Sequence, residues 1–413
     1  MKHLLNDDPE IAALIQKEES RIGTTLDLIA AESHMPESVM EAMGSIFNTK
    51  TIEGYPGKRF HAGCIHADGV ESLAISRAKE LFNAEYANVQ PHSGTSANLA
   101  VYFSVLKVGD KILSMSLPHG GHLSHGHRAS ITSKCFDFVH YSVDKETELI
   151  DYDEVRTLAE RHKPKMIVAG ASSYPRLIDY EKMAAIARDV SAYLFADMAH
   201  IAGLVAGKAI PSPVPCCDFV TFTCYKTMMG ARGGVILCRR DLGRKIDSAV
   251  FPGCQGTSAV NLIAGKAVTF KLAASPEFAR IQRETIENAK LLAAELATGG
   301  YRIVAGGTDN HQVLVDVASK GLTGSVSEKA LESVGIVTNR NVIPGDAENP
   351  GKISGIRIGT SGVTSRGMRG KEMARIAALI DATLMNAGND VLLAEVSQKV
   401  AALTREFPVY AAR

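Results

Sequence analysis

In the stretch DFVTFTCYKTMMGARGGVILC a single lysine, Lys226, lies between two runs that read as β-strands. Residues 218–224 predict one strand and 233–238 the start of another, which leaves Lys226 exposed in a loop too lean to cover it. A free amine at a strand end is a nucleophile able to form a Schiff base with a carbonyl compound. Three further polar features fall at strand ends or at a helix start. PHSGTSANL sets Ser93, Gly94 and Thr95 at the head of an apolar helix, where backbone N–H groups and hydroxyls either hold a phosphate or simply cap the helix. LFADMAH closes a buried strand with Asp197 and His200, and a carboxylate there needs a partner. VAGASS brings Ser172 to the end of a neighbouring strand.

A phosphate cradle, a strand-end carboxylate and a strand-end lysine, in this order, point to pyridoxal 5′-phosphate. Lys226 would carry its aldehyde, and Asp197 would keep its pyridine nitrogen protonated so that the ring accepts electrons. PHGGHLSHGH crowds His119, His122, His125 and His127, but with no carboxylate or cysteine to complete a ligand set no metal is expected. The other readings are a glycine-rich loop with surface histidines, or one imidazole lying flat on the cofactor ring.

These residues need a scaffold. Short apolar runs (KILSM, KMIVAGAS, AYLFADMA, DFVTFTC, GGVILC) separated by helical stretches predict an α/β domain around a largely parallel sheet. In such sheets ligands gather at the carboxyl ends of the strands. The pattern predicts an N-terminal helical arm over 1–50, a large domain over 51–275 and a smaller α/β domain over 276–413. The last of these has long helices around HQVLVDV and GIRIGT. EGYPGKRFHAGC is too polar and too punctuated to be a core element.

The 413 residues balance 45 basic against 45 acidic side chains, which leaves no field for gripping nucleic acid or an anionic membrane. Seven cysteines, odd in number and irregular in spacing, read as free thiols in a reducing compartment. The acidic, helical N-terminus does not read as a signal peptide, and no apolar run reaches the ~20 residues of a membrane span. A cytoplasmic enzyme is expected.

Over nearly its whole length, from LIAAES to TSRG, the chain resembles the serine hydroxymethyltransferase family. The matching runs include EGYPGKR, ANVQPHSG, HGGHLSHG, VDKET, LIDYDE, IVAGAS, DMAHIAGLVA, PSPVP, RGGVIL, VFPG with QG, GGTDNH and SGIRIGT. The resemblance implies a fold-type I pyridoxal-phosphate enzyme, a homodimer or tetramer whose active sites are built by two subunits. It implies that Lys226 bonds the cofactor, Asp197 pairs with the pyridinium and His122 stacks on the ring. Ser172 and His200 would contact the 3′-oxygen side, and Ser93, Gly94, Thr95 and Gly256 would belong to the cofactor site. Arg357 would bind the substrate carboxylate, and Glu53 would serve as acid and base from the partner subunit.

The departures crowd the substrate. The family usually reads ASEN, KYAEGYPGKRYYGGC and TTHKTLRGPRGG, so Ala31 stands for serine, Thr51 and His61 for tyrosines, and Tyr225 for histidine. A threonine in place of a tyrosine beside the substrate Cα frees space that glycine and serine do not need. D-Alanine and 2-methylserine need it for their methyl group. Glu53, Leu117, Gly121, Leu123 and Asn341 match the family's tetrahydrofolate contacts, and Phe60 replaces a stacking tyrosine. Gly351 and QGTSAVN depart from the folate pattern. The expectation is a 2-methylserine hydroxymethyltransferase using tetrahydrofolate. The alternatives are a serine/glycine enzyme, a folate-independent α-methylserine aldolase, an aminotransferase or an inactive binding protein.

Overall fold

Alternate residues along each central strand feed opposite faces of one sheet, and both faces are covered. Leu113, Ile167, Leu194, Val220 and Val235 enter the core on one side. Ile112, Val168, Phe195, Phe219 and Ile236 enter the core on the other. A strand buried on both faces has no use for polar alternation, which is why these runs are almost wholly apolar. Each such side chain contributes roughly 1.5–3 kcal/mol by leaving water.

A computed structural model of the chain describes residues 2–346 and 353–410. The large sheet has seven strands, in the spatial order Tyr86–Asn88, Gly234–Cys238, Phe219–Thr223, Tyr193–Asp197, Met166–Gly170, Lys111–Met115 and Asp137–Tyr141. All neighbours pair in parallel except Gly234–Cys238, which runs antiparallel to both of its partners. The expected α/β architecture with a mixed, mostly parallel sheet is present. Two strands were not among the apolar runs. Tyr86–Asn88 has only three residues, and Asp137–Tyr141 is an edge strand that turns Asp137 and His140 to solvent.

A second sheet of four antiparallel strands, Arg302–Ile303, Gln312–Asp316, Gly355–Gly359 and Asn339–Asn341, carries the C-terminal half. Its core includes Val313, Ile356 and Ile358, and also Leu26 and Leu28 from near the N-terminus. Leu26–Asp27 pairs in parallel with Ile336–Val337, while the helix Glu37–Met43 packs on the helix Val260–Ala273 beside the large sheet. The EGYPGKR segment folds as a small hairpin, Gly54–Tyr55 against Lys58–Arg59. Among the described residues no helix is long and apolar enough to cross a membrane.

Candidate active site

The carboxyl edge of the large sheet gathers Asp197, Ser172 and Lys226, and the second sheet adds Arg357. Asp197 ends its strand in a buried position. Its Oδ2 accepts hydrogen bonds from Asn98 Nδ2 at 2.8 Å and His125 Nε2 at 3.0 Å, and its Oδ1 accepts the Ala199 N–H at 3.0 Å. His125 Nδ1 accepts the His122 backbone N–H at 3.3 Å, which assigns the ring hydrogen to Nε2. Burial alone would raise the Asp197 carboxyl. The His125 hydrogen bond, the two imidazoles and Asn98 overcome it and hold the group well below the ordinary carboxylate range.

His122 sits one turn away. Its Nδ1 accepts the Ser124 N–H at 3.2 Å and faces Ser124 Oγ at 2.7 Å. Asn98 Nδ2 donates to that hydroxyl at 2.9 Å, leaving the Ser124 hydrogen free for His122. Burial pushes the His122 imidazole down to about 4, so the ring is neutral near pH 7. Of the four crowded histidines, only His122 and His125 converge on Asp197, with ligand atoms within 4.8 Å of one another. Asp197 is thus a carboxylate beside them, which the local sequence did not reveal because it lies 72 residues from His125. His119 and His127 instead accept backbone N–H groups of Val143 and Ala129.

Lys226 is not open in its loop, as the lean sequence had led us to expect. Only 9% of its surface is exposed. Arg357, which the chain order places far away, shares its surroundings and contributes like charge. Burial pushes the amine down to about 8, Arg357 adds to the effect and Asp197 opposes it. Its side chain makes no hydrogen bond or ion pair among the described residues, whereas a buried amine normally finds a partner.

Arg357 donates from Nε to Asn339 Oδ1 at 3.1 Å and from Nη1 to the Ser172 carbonyl at 2.6 Å. Burial pushes it down to about 10, and its remaining N–H bonds have no hydrogen-bond partner among the described residues. The Ser172 N–H is fixed in turn by Gly120 O at 2.7 Å. His200 is buried against His311, whose Nε2 lies 3.1 Å from the Ala30 carbonyl. Burial holds both rings neutral, His311 at about 3. Ser93 caps the helix Gly94–Val105, its Oγ accepting the Ser96 N–H at 3.1 Å, so the capping reading holds. The cap leaves Thr95 exposed and Gly94 half-buried at the same helix end.

Sequence reasoning missed Asn98, Ser124, Thr221, His311 and Asn339, and gave His125 no role in holding Asp197. Asn98 lies one turn into the helix that Ser93 caps, and its Oδ1 accepts the Thr221 hydroxyl at 2.7 Å. A polar residue on the apolar run SANLAVYF was the available signal.

The remaining residues lie around this centre. Thr51, Phe60 and His61 are exposed and Glu53 is half-buried; none of their side chains hydrogen-bonds to the Lys226 cluster among the described residues. Phe60 is 75% exposed and meets the Phe251 ring at 5.8 Å. The backbone beneath is held by side-chain hydrogen bonds. Arg59 bonds Asp68 at 2.8 Å, Glu71 at 2.5 Å and Gly54 O at 2.6 Å, and Gln90 bonds Gly54 O at 3.0 Å. Thr257 hydrogen-bonds both the N–H and the carbonyl of Ile52, and Gly256 beside it is exposed. Tyr225 is half-buried with the Arg232 guanidinium 4.3 Å from its ring centre, and Ala31 is half-buried next to the Ala30 carbonyl that meets His311. Leu117 and Leu123 are exposed, Gly121 is buried, and Asn341 Nδ2 donates to Val342 O at 2.6 Å. Gly351 lies outside the described residues.

The donor set fits pyridoxal phosphate: a buried amine without a partner among the described residues, an ionised carboxylate hydrogen-bonded by His125 and Asn98, and a helix start capped by Ser93 with Thr95 exposed. With the seven-stranded sheet, these features define a fold-type I pyridoxal-phosphate enzyme. A sequence model of serine hydroxymethyltransferase matches residues 4–380, and the chain belongs to that family. It is accordingly an enzyme of pyridoxal-phosphate-dependent hydroxymethyl transfer.

Proposed function

We propose that this enzyme exchanges a hydroxymethyl group between 2-methylserine and D-alanine, with tetrahydrofolate as the one-carbon carrier. The observation that carries the reading is Thr51. The backbone at Ile52 is clamped by Thr257 and that at Gly54 by Gln90 and Arg59, so space freed by a short side chain at 51 is not refilled by a shift of the chain. In a dimer the outward-facing Thr51, Glu53, Phe60 and His61 are available to a neighbouring subunit's site, which supports a site shared by two copies.

Bound pyridoxal phosphate supplies an electron sink for the bond broken at the substrate Cα. The chain's own residues do the rest. Lys226, with an amine near 8, is the group to hold the cofactor and to move protons at the amine. Asp197, held ionised, keeps the pyridine nitrogen protonated, and neutral His122 offers a flat face to the ring. Arg357 orients the substrate carboxylate through the N–H bonds that Asn339 and Ser172 leave free. Glu53 takes the proton of the substrate hydroxyl.

The test is the absorption spectrum of the yellow enzyme titrated with D-alanine and with glycine, with and without tetrahydrofolate. A long-wavelength band raised by D-alanine and strengthened by folate is expected. A band with glycine alone would return the enzyme to the serine/glycine reaction. Release of free formaldehyde from 2-methylserine without folate would make it an aldolase, and pyruvate formation with a keto-acid acceptor an aminotransferase.

A further inference from the structure

Lys266 occupies the middle of the helix Val260–Ala273 with 1% of its surface exposed. It has no ion-pair partner among the described residues. Its Nζ donates to three carbonyls, Val89 O at 2.7 Å, Gly234 O at 2.9 Å and Pro91 O at 3.0 Å. All three ammonium hydrogens are therefore used. A buried ammonium without a carboxylate is costly, and a site that merely needed filling would take an apolar side chain.

The three acceptors share one location. Val89 and Pro91 lead directly into Ser93, and the Gly234 N–H donates to Pro91 O at 3.0 Å. The glycine pair of RGGV is shaped around the same group. At Gly233, with φ of +118°, a Cβ would stand 2.5 Å from Lys266 Cε and 2.7 Å from Nζ. A Cβ on Gly234 would collide with the Ser93 carbonyl. Burial pushes Lys266 down to about 8, with Cys224 and Glu71 opposing, so it stays cationic near pH 7.

We propose that Lys266 is a positioning residue for the cofactor's phosphate. Its buried ammonium fixes the turn that presents Ser93, Gly94 and Thr95, and its positive field favours a dianion at that helix start. The proposal rests on the reading that these three residues hold the phosphate. A buried cation that makes no direct ion pair among the described residues, with Glu71 acting only from a distance and itself paired with Arg59, gains a closer counter-charge when the phosphate arrives.

The experiment compares full-length apoenzymes for binding pyridoxal phosphate and pyridoxal, which lacks the phosphate. The variants are Lys266→Met, Lys266→Gln and Ser93→Ala/Thr95→Ala. Lys266→Met should weaken pyridoxal phosphate at least tenfold and pyridoxal less than twofold. Lys266→Gln, which keeps some donors but no charge, should fall between. Equal losses for both ligands, or no loss, overturn the proposal. Failure of both Lys266 variants to fold even when produced with excess cofactor also overturns it, making Lys266 a folding residue. If the Ser93→Ala/Thr95→Ala variant loses phosphate selectivity and Lys266→Met does not, only the Lys266 inference fails. If that double variant binds both ligands normally, the cradle reading itself fails.

Discussion

Replacing Lys226 by methionine will abolish turnover and will stabilise the cofactor-free protein at neutral pH. Methionine has a similar reach, fills the same space and cannot carry a charge. In the folded chain burial lowers the Lys226 amine from 10.5 to about 8, against a normal value in the unfolded chain. That difference corresponds to about 3 kcal/mol. Below pH 8 the amine is protonated in both states, and the folded state carries the whole penalty. Between pH 8 and 10.5 the folded chain sheds its proton while the unfolded chain keeps it, so the wild type gains stability as pH rises.

Urea denaturation of the two apoproteins at equal concentration measures the gap. The methionine variant should lead by about 3 kcal/mol at pH 7 and by less than about 1 kcal/mol at pH 10. A variant less stable than wild type at pH 7, or a gap that does not narrow with pH, would refute a desolvated, unpartnered amine at this position. The trade is the usual one at a functional site, where stability is given up to keep a reactive group poised.

Three other substitutions probe separate parts of the site. Thr51→Tyr should lower kcat/KM for D-alanine relative to glycine by roughly 10- to 100-fold, the range for accommodating one methyl group; an unchanged ratio would deny Thr51 a role in specificity. Asp197→Asn leaves Asn98 and His125 facing an amide oxygen, so the protein should fold while kcat drops by about 10²–10³-fold; residual activity above a tenth would remove Asp197 from the chemistry. Glu71→Ala removes one of the two carboxylates that pair with Arg59, leaving Asp68, and should cost about 1.5–3 kcal/mol in urea denaturation; a loss below about 0.5 kcal/mol would mean the network does not anchor the hairpin.

Lys226, Asp197 and the strands that present them were legible because each is a polar residue closing an apolar run, and chain order carries that signal. What holds them was not. Asn98 and His125 reach Asp197 across 99 and 72 residues, and only the sheet order brings them together. The burial of Lys226 escaped for the same reason, since a loop that looks lean in sequence is covered by distant parts of the chain, and Arg357 on the second sheet is near enough to act on its charge. Lys266 did leave a trace. A single lysine inside LIAGKAVTF, an apolar run of helical length, has to find acceptors somewhere, and the run alone does not say that they are Val89, Pro91 and Gly234.

The charges around this centre follow one logic. His200 and His311 are buried and His122 is half-buried, and desolvation keeps all three neutral, so none of them adds positive charge near pH 7. The fixed cations are left to Lys226, Arg357 and Lys266, and the fixed anion among them is Asp197, whose charge His125 and Asn98 stabilise. On the proposed reading, this surplus would draw a phosphate near Lys266 and a carboxylate at Arg357, and Asp197 would face the one cationic atom of the ligand. Burial supplies the selectivity. It discharges the imidazoles, whose protons are weakly held, but not the guanidinium or the ammonium groups, whose protons are held more strongly. The same desolvation that neutralises three histidines therefore sharpens the field that the remaining cations would exert on any anion entering the site.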